Sequence, residues 1–211
     1  MDKTNQQLLF SRICNKRLAG MSSGFTLVEV MVSVIIFSVG LIGVARLQVV
    51  AKQNNYDAVQ RVSATSVAQD VLSRMRSNHT VLNTYVSNSG STTIGRGSIS
   101  SEPTPICGST GTICTADQLA QHDLWEVEKA LDGIAEQDSD GNSLGGLTLP
   151  TLCVTGPAVG DSGVYTVAIA WRGKAELSNP AASTCGSNTG LYGDNNEFRR
   201  VLVMQTFITS I

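Results

Sequence analysis

GFTLVEVMVSVIIFSVGLIGVARLQVV, Gly24 to Val50, is the stretch on which the reading of this 211-residue chain turns. From Val30 to Ala45 sixteen consecutive residues carry no charge, and Phe25–Val28 and Leu47–Val50 extend the apolar run on either side. About 20 apolar residues cross a bilayer, so the run has spanning length. One carboxylate, Glu29, lies near its start. Inside a membrane an acid costs roughly 2.5 to 3.5 kcal/mol when central, and less near an end, so Glu29 requires a neutralising cation. Thr26 and Glu29 also have the spacing of a capping box, in which two side chains satisfy free N–H groups at a helix start.

A short leader with Arg12, Lys16 and Arg17 precedes Gly24-Phe25-Thr26-Leu27-Val28-Glu29. This arrangement strongly resembles the type IV prepilin processing site. The resemblance implies that a membrane peptidase cuts between Gly24 and Phe25, that Phe25 is N-methylated, and that Glu29, fifth in the mature chain, acts in subunit assembly. The freed amine of Phe25 would supply the cation, to its own Glu29 or to a neighbour's. A plain signal anchor with a capped helix is the competing reading of these residues.

Charge gives the orientation. Residues 1–24 carry a net +3 (Lys3, Arg12, Lys16 and Arg17 against Asp2), which leaves −5 for the remainder of a chain whose net charge is −2. A basic flank before the span and an acidic domain after it place the leader in the cytoplasm and the domain outside. A secretory signal would be cut after its apolar region at a small-residue site; no A-x-A pattern ends this run, so the anchor is retained.

Beyond Val50 the chain is free of Pro and Gly until Gly90 and turns amphipathic. Tyr56, Val59, Val62, Val67, Val71, Leu72 and Met75 recur at mostly helical spacing, predicting a half-buried helix. Unbroken from Phe25 to about Ser77, such a helix is on the order of 80 Å long. Gly40 and Gly43, with Ser33 and Ser38, interrupt the apolar half; small residues let helices approach closely in a membrane, and glycines loosen a helix. Arg46 is expected to snorkel to the membrane surface. The stem lacks the proline that many pilins carry there.

Residues 78–105 are rich in Ser, Thr, Gly and Asn and read as loop and short strand. Asn78-His79-Thr80 matches a glycosylation sequon, a pattern short enough to arise by chance. Thr115-Ala116-Asp117-Gln118 opens a second helix with a capping-box pattern, and Leu124, Val127, Leu131 and Ile134 form its apolar stripe beside Trp125. The segment CTADQLAQHDLWEVEKAL, Cys114 to Leu131, resembles the PilV-like class of minor pilins. Leu152–Thr155, Val164–Trp171 and Arg199–Ile208 read as strands of an antiparallel sheet. The expected fold is α+β: a type IV pilin-like lollipop with a long N-terminal helix packed on a sheet-bearing head. The expected divisions are a leader (1–24), a transmembrane and polymerisation half-helix (25–50), a head-packed half-helix (51–77) and a globular head (78–211).

Cys14 leaves with the leader, so Cys107, Cys114, Cys153 and Cys185 remain, an even number in a non-cytosolic domain. Disulfides are the expectation. Three connectivities are open, and Cys107 with Cys114 and Cys153 with Cys185 is favoured: the first pair brackets a Gly-rich turn, and the second ties the strand region to a long loop. A zinc site is disfavoured, because no second close pair or nearby His completes a tetrahedral set.

Glu136, Asp138, Asp140 and Asn142 place oxygen donors at alternate positions around Gly141, a weak calcium-loop pattern whose closing acid is missing, since Leu147 stands in its place. An acidic turn ending a helix explains the same residues without metal. His79 and His122 have no nucleophile motif around them, and His122 beside Asp123 reads as a solvated helix face. No catalytic or cofactor pattern is present, so the chain reads as the substrate of an enzyme rather than as an enzyme.

The resemblance implies a minor pilin held by one span in the bacterial inner membrane with a periplasmic head, later part of a surface fibre. Its implied partners are other minor pilins, the major pilin, the prepilin peptidase and a tip adhesin, and its implied role is to prime assembly near the pilus tip. Two alternatives share the stem: a minor pseudopilin of a type II secretion system, and a DNA-uptake or adhesive pilin. DNA binding calls for a basic patch, and only Arg172, Lys174, Arg199 and Arg200 offer one in an acidic domain. No nucleic acid is expected.

Overall fold

The structure, a computed structural model, describes residues 24–90, 94–134, 139–140, 143, 145–157 and 161–210. The chain divides into two compact units, Met1–Gln48 and Val49–Ile211. Helix α1, Leu27–Ser77, is continuous through the boundary.

In the first unit every described residue is exposed. Thr26 caps α1: its Oγ1 accepts from Glu29 N at 3.2 Å and its carbonyl from Val30 N at 3.3 Å. From there the helix presents Leu, Val, Ile and Phe on all sides, as a helix does when its solvent is lipid rather than water. It is the one described helix long and apolar enough to cross a membrane, with a mean hydropathy of 2.5 over its most apolar window. Ser33 and Ser38 return their hydroxyls to Glu29 O and Ile35 O, so neither leaves an unsatisfied polar group on this surface.

In the second unit α1 buries Gln60, Ala64, Ala68, Val71, Leu72 and Met75. The spacing is helical, but the stripe is rotated from the expected one: Val59 is 55% exposed and Val62 69%. Small alanines take the inner positions because the helix lies close to its neighbours, and the larger valines are turned outward. Residues 78–105, expected as loop and strand, instead hold a 3-10 turn, His79–Val81, and helix α2, Leu82–Gly90. The Ser and Asn content suggested a loop, but buried Leu82 and Tyr85 provide enough apolar surface to hold the helix. Asn78 is buried and donates from Nδ2 to Ala116 O at 2.8 Å, so the sequon is closed to a glycan in the folded chain.

Helix α3, Ala116–Asp132, starts with the capping box read from the sequence: Thr115 Oγ1 accepts from Gln118 N, and Gln118 Oε1 from Thr115 N. It ends at Gly133 in the left-handed region (φ 68°), where a Cβ would lie 2.2 Å from Gly145 C and O, so only glycine fits. Leu124, Val127 and Leu131 are buried, while Ile134 lies past the helix end and is partly exposed.

Strands β1 (Thr151–Thr155), β2 (Gly163–Arg172) and β3 (Arg199–Ile208) form an antiparallel sheet in that order. The register runs from Thr151↔Ala170 to Thr155↔Thr166 and from Gly163↔Ile208 to Arg172↔Arg199. Tyr165, Val167, Ile169 and Trp171 of β2 join α1, α2 and α3 in the main core. Alternate residues Ala168 and Ala170 pack on the other face against Cys185 and Tyr192. Because both faces are covered, β2 reads as a nearly continuous apolar run.

The second face is covered by residues 173–198. Cys153–Cys185 staples this loop to β1, and Cys107–Cys114 closes a short loop before α3. Arg199, 1% exposed, donates from Nε to Asn179 Oδ1 (2.9 Å), from Nη1 to Cys185 O (2.7 Å) and from Nη2 to Pro180 O (2.6 Å). Hydrogen bonds to a charged group contribute about 1.5 to 3 kcal/mol each, although Asn179 and Pro180 can turn to water when the cation is gone. Arg199→Ala is therefore expected to lower stability by about 3 kcal/mol in denaturant unfolding. Arg199→Lys should recover little, since one ammonium cannot span three diverging acceptors.

Candidate functional site

The N-terminal site is a short segment outside regular structure that leads into a helix face. Gly24, Phe25 and Thr26 precede the first helical turn, and Phe25 is 83% exposed. Nothing lies within 4 Å of the position a Cβ at Gly24 would occupy. From this point Phe25, Glu29, Ser33 and Phe37 follow at intervals of four, with Val30 and Val34 beside them, lining a shallow apolar groove. Residues four apart share one face of a helix. Glu29 is the single charged member, and among the described residues no Lys or Arg forms an ion pair with it. Its carboxylate and the apolar groove thus share one exposed face.

The head has two polar clusters, both anchored on α3. Arg74 of α1 meets Asp123 (2.7 Å) and Glu126 (2.6 Å) across the helix pair, and Asp70 within its own helix (2.9 Å). Burial draws the guanidinium's pKa down, but the hydrogen bonds it donates to Glu126, Asp123 and Asp70 outweigh it, and the net shift is upward. Asp123 also accepts from Tyr85 OH at 2.5 Å. Burial first, and then this bond, push the phenol's pKa up, so Tyr85 remains a neutral donor.

Glu128, 1% exposed, anchors the second cluster. Its Oε1 accepts from Gly95 N (2.9 Å), Ser98 N (2.6 Å) and Ser98 Oγ (2.5 Å), and its Oε2 from Ile99 N (2.7 Å). One turn later Asp132 accepts from Arg96 N and Gly97 N. Two carboxylates one helical turn apart thereby fold residues 95–99 into a cradle of backbone N–H groups. Gly95, at φ 126°, passes so close to Pro150 that a Cβ would lie 2.6 Å from its carbonyl oxygen. A carboxylate bonded this way is structural. Glu128→Gln keeps one acceptor oxygen but loses the charge and brings an amide against N–H donors, so a loss of about 2 kcal/mol is expected in thermal unfolding, with faster amide exchange at residues 95–99.

His122, read from the sequence as solvated, is 7% exposed with Nε2 3.3 Å from Glu102 Oε1 and its ring 5.5 Å from that of Trp125. Helical periodicity placed it on the polar side, but the 95–115 loop folds over that side and buries it. Of the calcium-loop residues, Glu136, Asp138 and Asn142 lie outside the described residues. The basic residues near the sheet do not form an open patch. Arg199 is buried, Arg172 stacks on Phe198 (4.6 Å) and donates to Leu191 O, Arg200 donates to Ala175 O, and Lys174 lies over Tyr56 (5.0 Å). The paired cysteines and the caps of α1 and α3 had sequence signals; the Glu128 cradle joins residues about 30 positions apart and had none.

A family profile described as Prokaryotic N-terminal methylation motif matches residues 20–45, and one described as Type IV pilin Tt1218 matches residues 46–125. No curated protein and no solved structure matches the chain. The first profile covers the Gly24–Thr26 segment and the groove that follows it. The second covers the head-packed part of α1, the Glu128-bound loop and the first half of α3. The methylation motif and the apolar helix fit membrane anchoring and assembly into a pilus. Matched in succession from the processing segment into the head, and carrying a long apolar helix with a three-stranded antiparallel sheet, the chain is a type IV pilin.

Proposed function

We propose that the chain is a PilV-like minor pilin that joins other minor pilins in the inner membrane and primes assembly of a pilus, with its head displayed near the tip. It is a structural protein and the substrate of a processing peptidase, not a catalyst. The observation that carries the reading is the placement of Gly24 and Phe25 before the capped start of α1, exposed and outside regular structure. A peptidase needs an extended, accessible peptide bond. The fold places no steric demand for glycine at position 24, so its requirement would lie with the processing enzyme.

After the cut, residues 1–24 are a discarded leader, 25–50 the membrane and polymerisation half of α1, 51–77 its head-packed half, and 78–211 the periplasmic head. Glu29, deprived of water among packed helices, pairs with the new amine of Phe25 on its own or a neighbouring chain. What favours the minor-pilin class within the family is the resemblance of Cys114–Leu131 to PilV-like minor pilins.

Intact-mass and peptide mass spectrometry of the chain purified from membranes tests the reading. The expected result is a chain that starts at N-methylated Phe25. An intact leader, or a cut elsewhere, would remove the basis of the proposal. Deleting the gene separates pilus from secretion: loss of surface pili or twitching supports the minor pilin, whereas lost exoprotein export with normal pili reassigns it as a type II pseudopilin.

A further inference from the structure

We propose that the head carries a docking groove for a carboxylate-bearing segment of an adjacent pilin subunit, with Arg61 as its anchor. The groove, about 440 Å³, lies between α1 and the end of the sheet and includes Asp57, Ala58, Arg61, Trp171, Leu177 and Arg200 in its lining. Three observations converge there. The first is charge. Arg200 is engaged, by Ala175 O at 2.7 Å and by Asp57 at 3.8 Å. Arg61 is exposed and, among the described residues, forms no ion pair. An exposed guanidinium beside an apolar wall selects a carboxylate, which it can hold bidentately.

The second is an unmet donor. Trp171 is 3% exposed, yet its indole Nε1–H has no hydrogen-bond partner among the described residues. Buried tryptophan N–H groups usually find one. The third observation fixes the size of the occupant. Ala58 and Arg61 also border an exposed strip of α1 formed with Val62, Thr65, Ser66 and Gln69, so the groove opens onto a helix face rather than ending as a closed pocket. A small anion would cover the guanidinium and leave the Val62 strip bare, whereas a subunit lying along α1 covers both. This assignment rests on the pilin reading, in which neighbours pack along α1.

The test is made in cells that produce each full-length variant in place of the unaltered chain, by measuring leader cleavage, membrane level and recovery in sheared filaments. Arg61→Glu should be cut at Gly24 and accumulate normally, with recovery in filaments at least ten-fold lower. Arg61→Lys should retain most of it, because the charge is kept. Trp171→Phe removes a donor that has no partner among the described residues, so its melting temperature should be unchanged or higher while filament recovery falls about three-fold. Recovery of Arg61→Glu at the level of the unaltered chain overturns the groove, as does a loss explained by a lowered melting temperature. Undiminished recovery of Trp171→Phe overturns the part given to the indole. Absence of the unaltered chain itself from filaments overturns both this inference and the pilin reading.

Discussion

Glu29→Val is expected to leave the chain at its normal level in the membrane and to lower its recovery in sheared pili by at least ten-fold. The reason is the mismatch between what Glu29 tolerates and where it sits. In α1 it shares an exposed face with Phe25, Val30, Ser33, Val34 and Phe37, and no described cation pairs with it. Once that face packs against other helices, the carboxylate loses water, and a charge stranded without its partner costs about 3 to 5 kcal/mol. An arrangement that brings the Phe25 amine to it is then favoured by about 100-fold or more over one that does not. Valine removes both the penalty and the preference: the apolar helix still inserts, but nothing selects the axial register. Immunoblots of sheared and membrane fractions give the ratio directly. Recovery equal to that of the unaltered chain would remove Glu29 from any register role.

Replacing Cys153 and Cys185 together by serine is expected to cost about 4 kcal/mol, against about 2.5 kcal/mol for the pair Cys107 and Cys114. The difference follows from the chain each bond closes, 32 positions in one case and 7 in the other, because the longer loop has more conformational freedom to lose in the unfolded state. The longer loop also carries the acceptors of Arg199, and at its end Cys185 packs with Tyr192 against Ala168 and Ala170. Without its staple, the covering of the second sheet face should open before the main core unfolds. Chemical unfolding of the two double variants measures the order of the losses, and limited proteolysis should cut first within residues 173–198. Equal losses for the two pairs would show that loop entropy is not what separates them.

The N-terminal half of the molecule was legible in the sequence because its physics is local. The run from Phe25 to Val50, the Thr26 cap, the lone acid and the helix that continues to Ser77 each follow from composition and spacing within a few residues. The same holds for the Thr115–Gln118 capping box and for β2 and β3, whose β-branched runs announce themselves. Where the reading departed from the structure, contacts between distant residues decided the outcome. The stripe on α1 rotates away from Val59 and Val62 because alanines give a closer approach. Helix α2 forms in a Ser- and Asn-rich segment because Leu82 and Tyr85 reach the core, and His122 is buried by a loop folded over it from residues 95–115.

The sequence by itself determined that this chain has an apolar run of membrane-spanning length with an acid near its start, a pattern at Gly24–Phe25 that resembles a processing site and an α+β head with four cysteines, since periodicity, charge and short motifs are properties of neighbours along the chain. Only the tertiary structure decided which faces are covered, that Glu128 and Asp132 hold the 95–99 loop, that Arg199 is consumed inside the head, and that among the described residues Arg61 has no ion pair and the buried Trp171 N–H no acceptor. Those outcomes depend on which groups separated by tens of residues come within about 3 Å of one another, the range over which hydrogen bonds and desolvation act and one that spacing along a sequence does not encode.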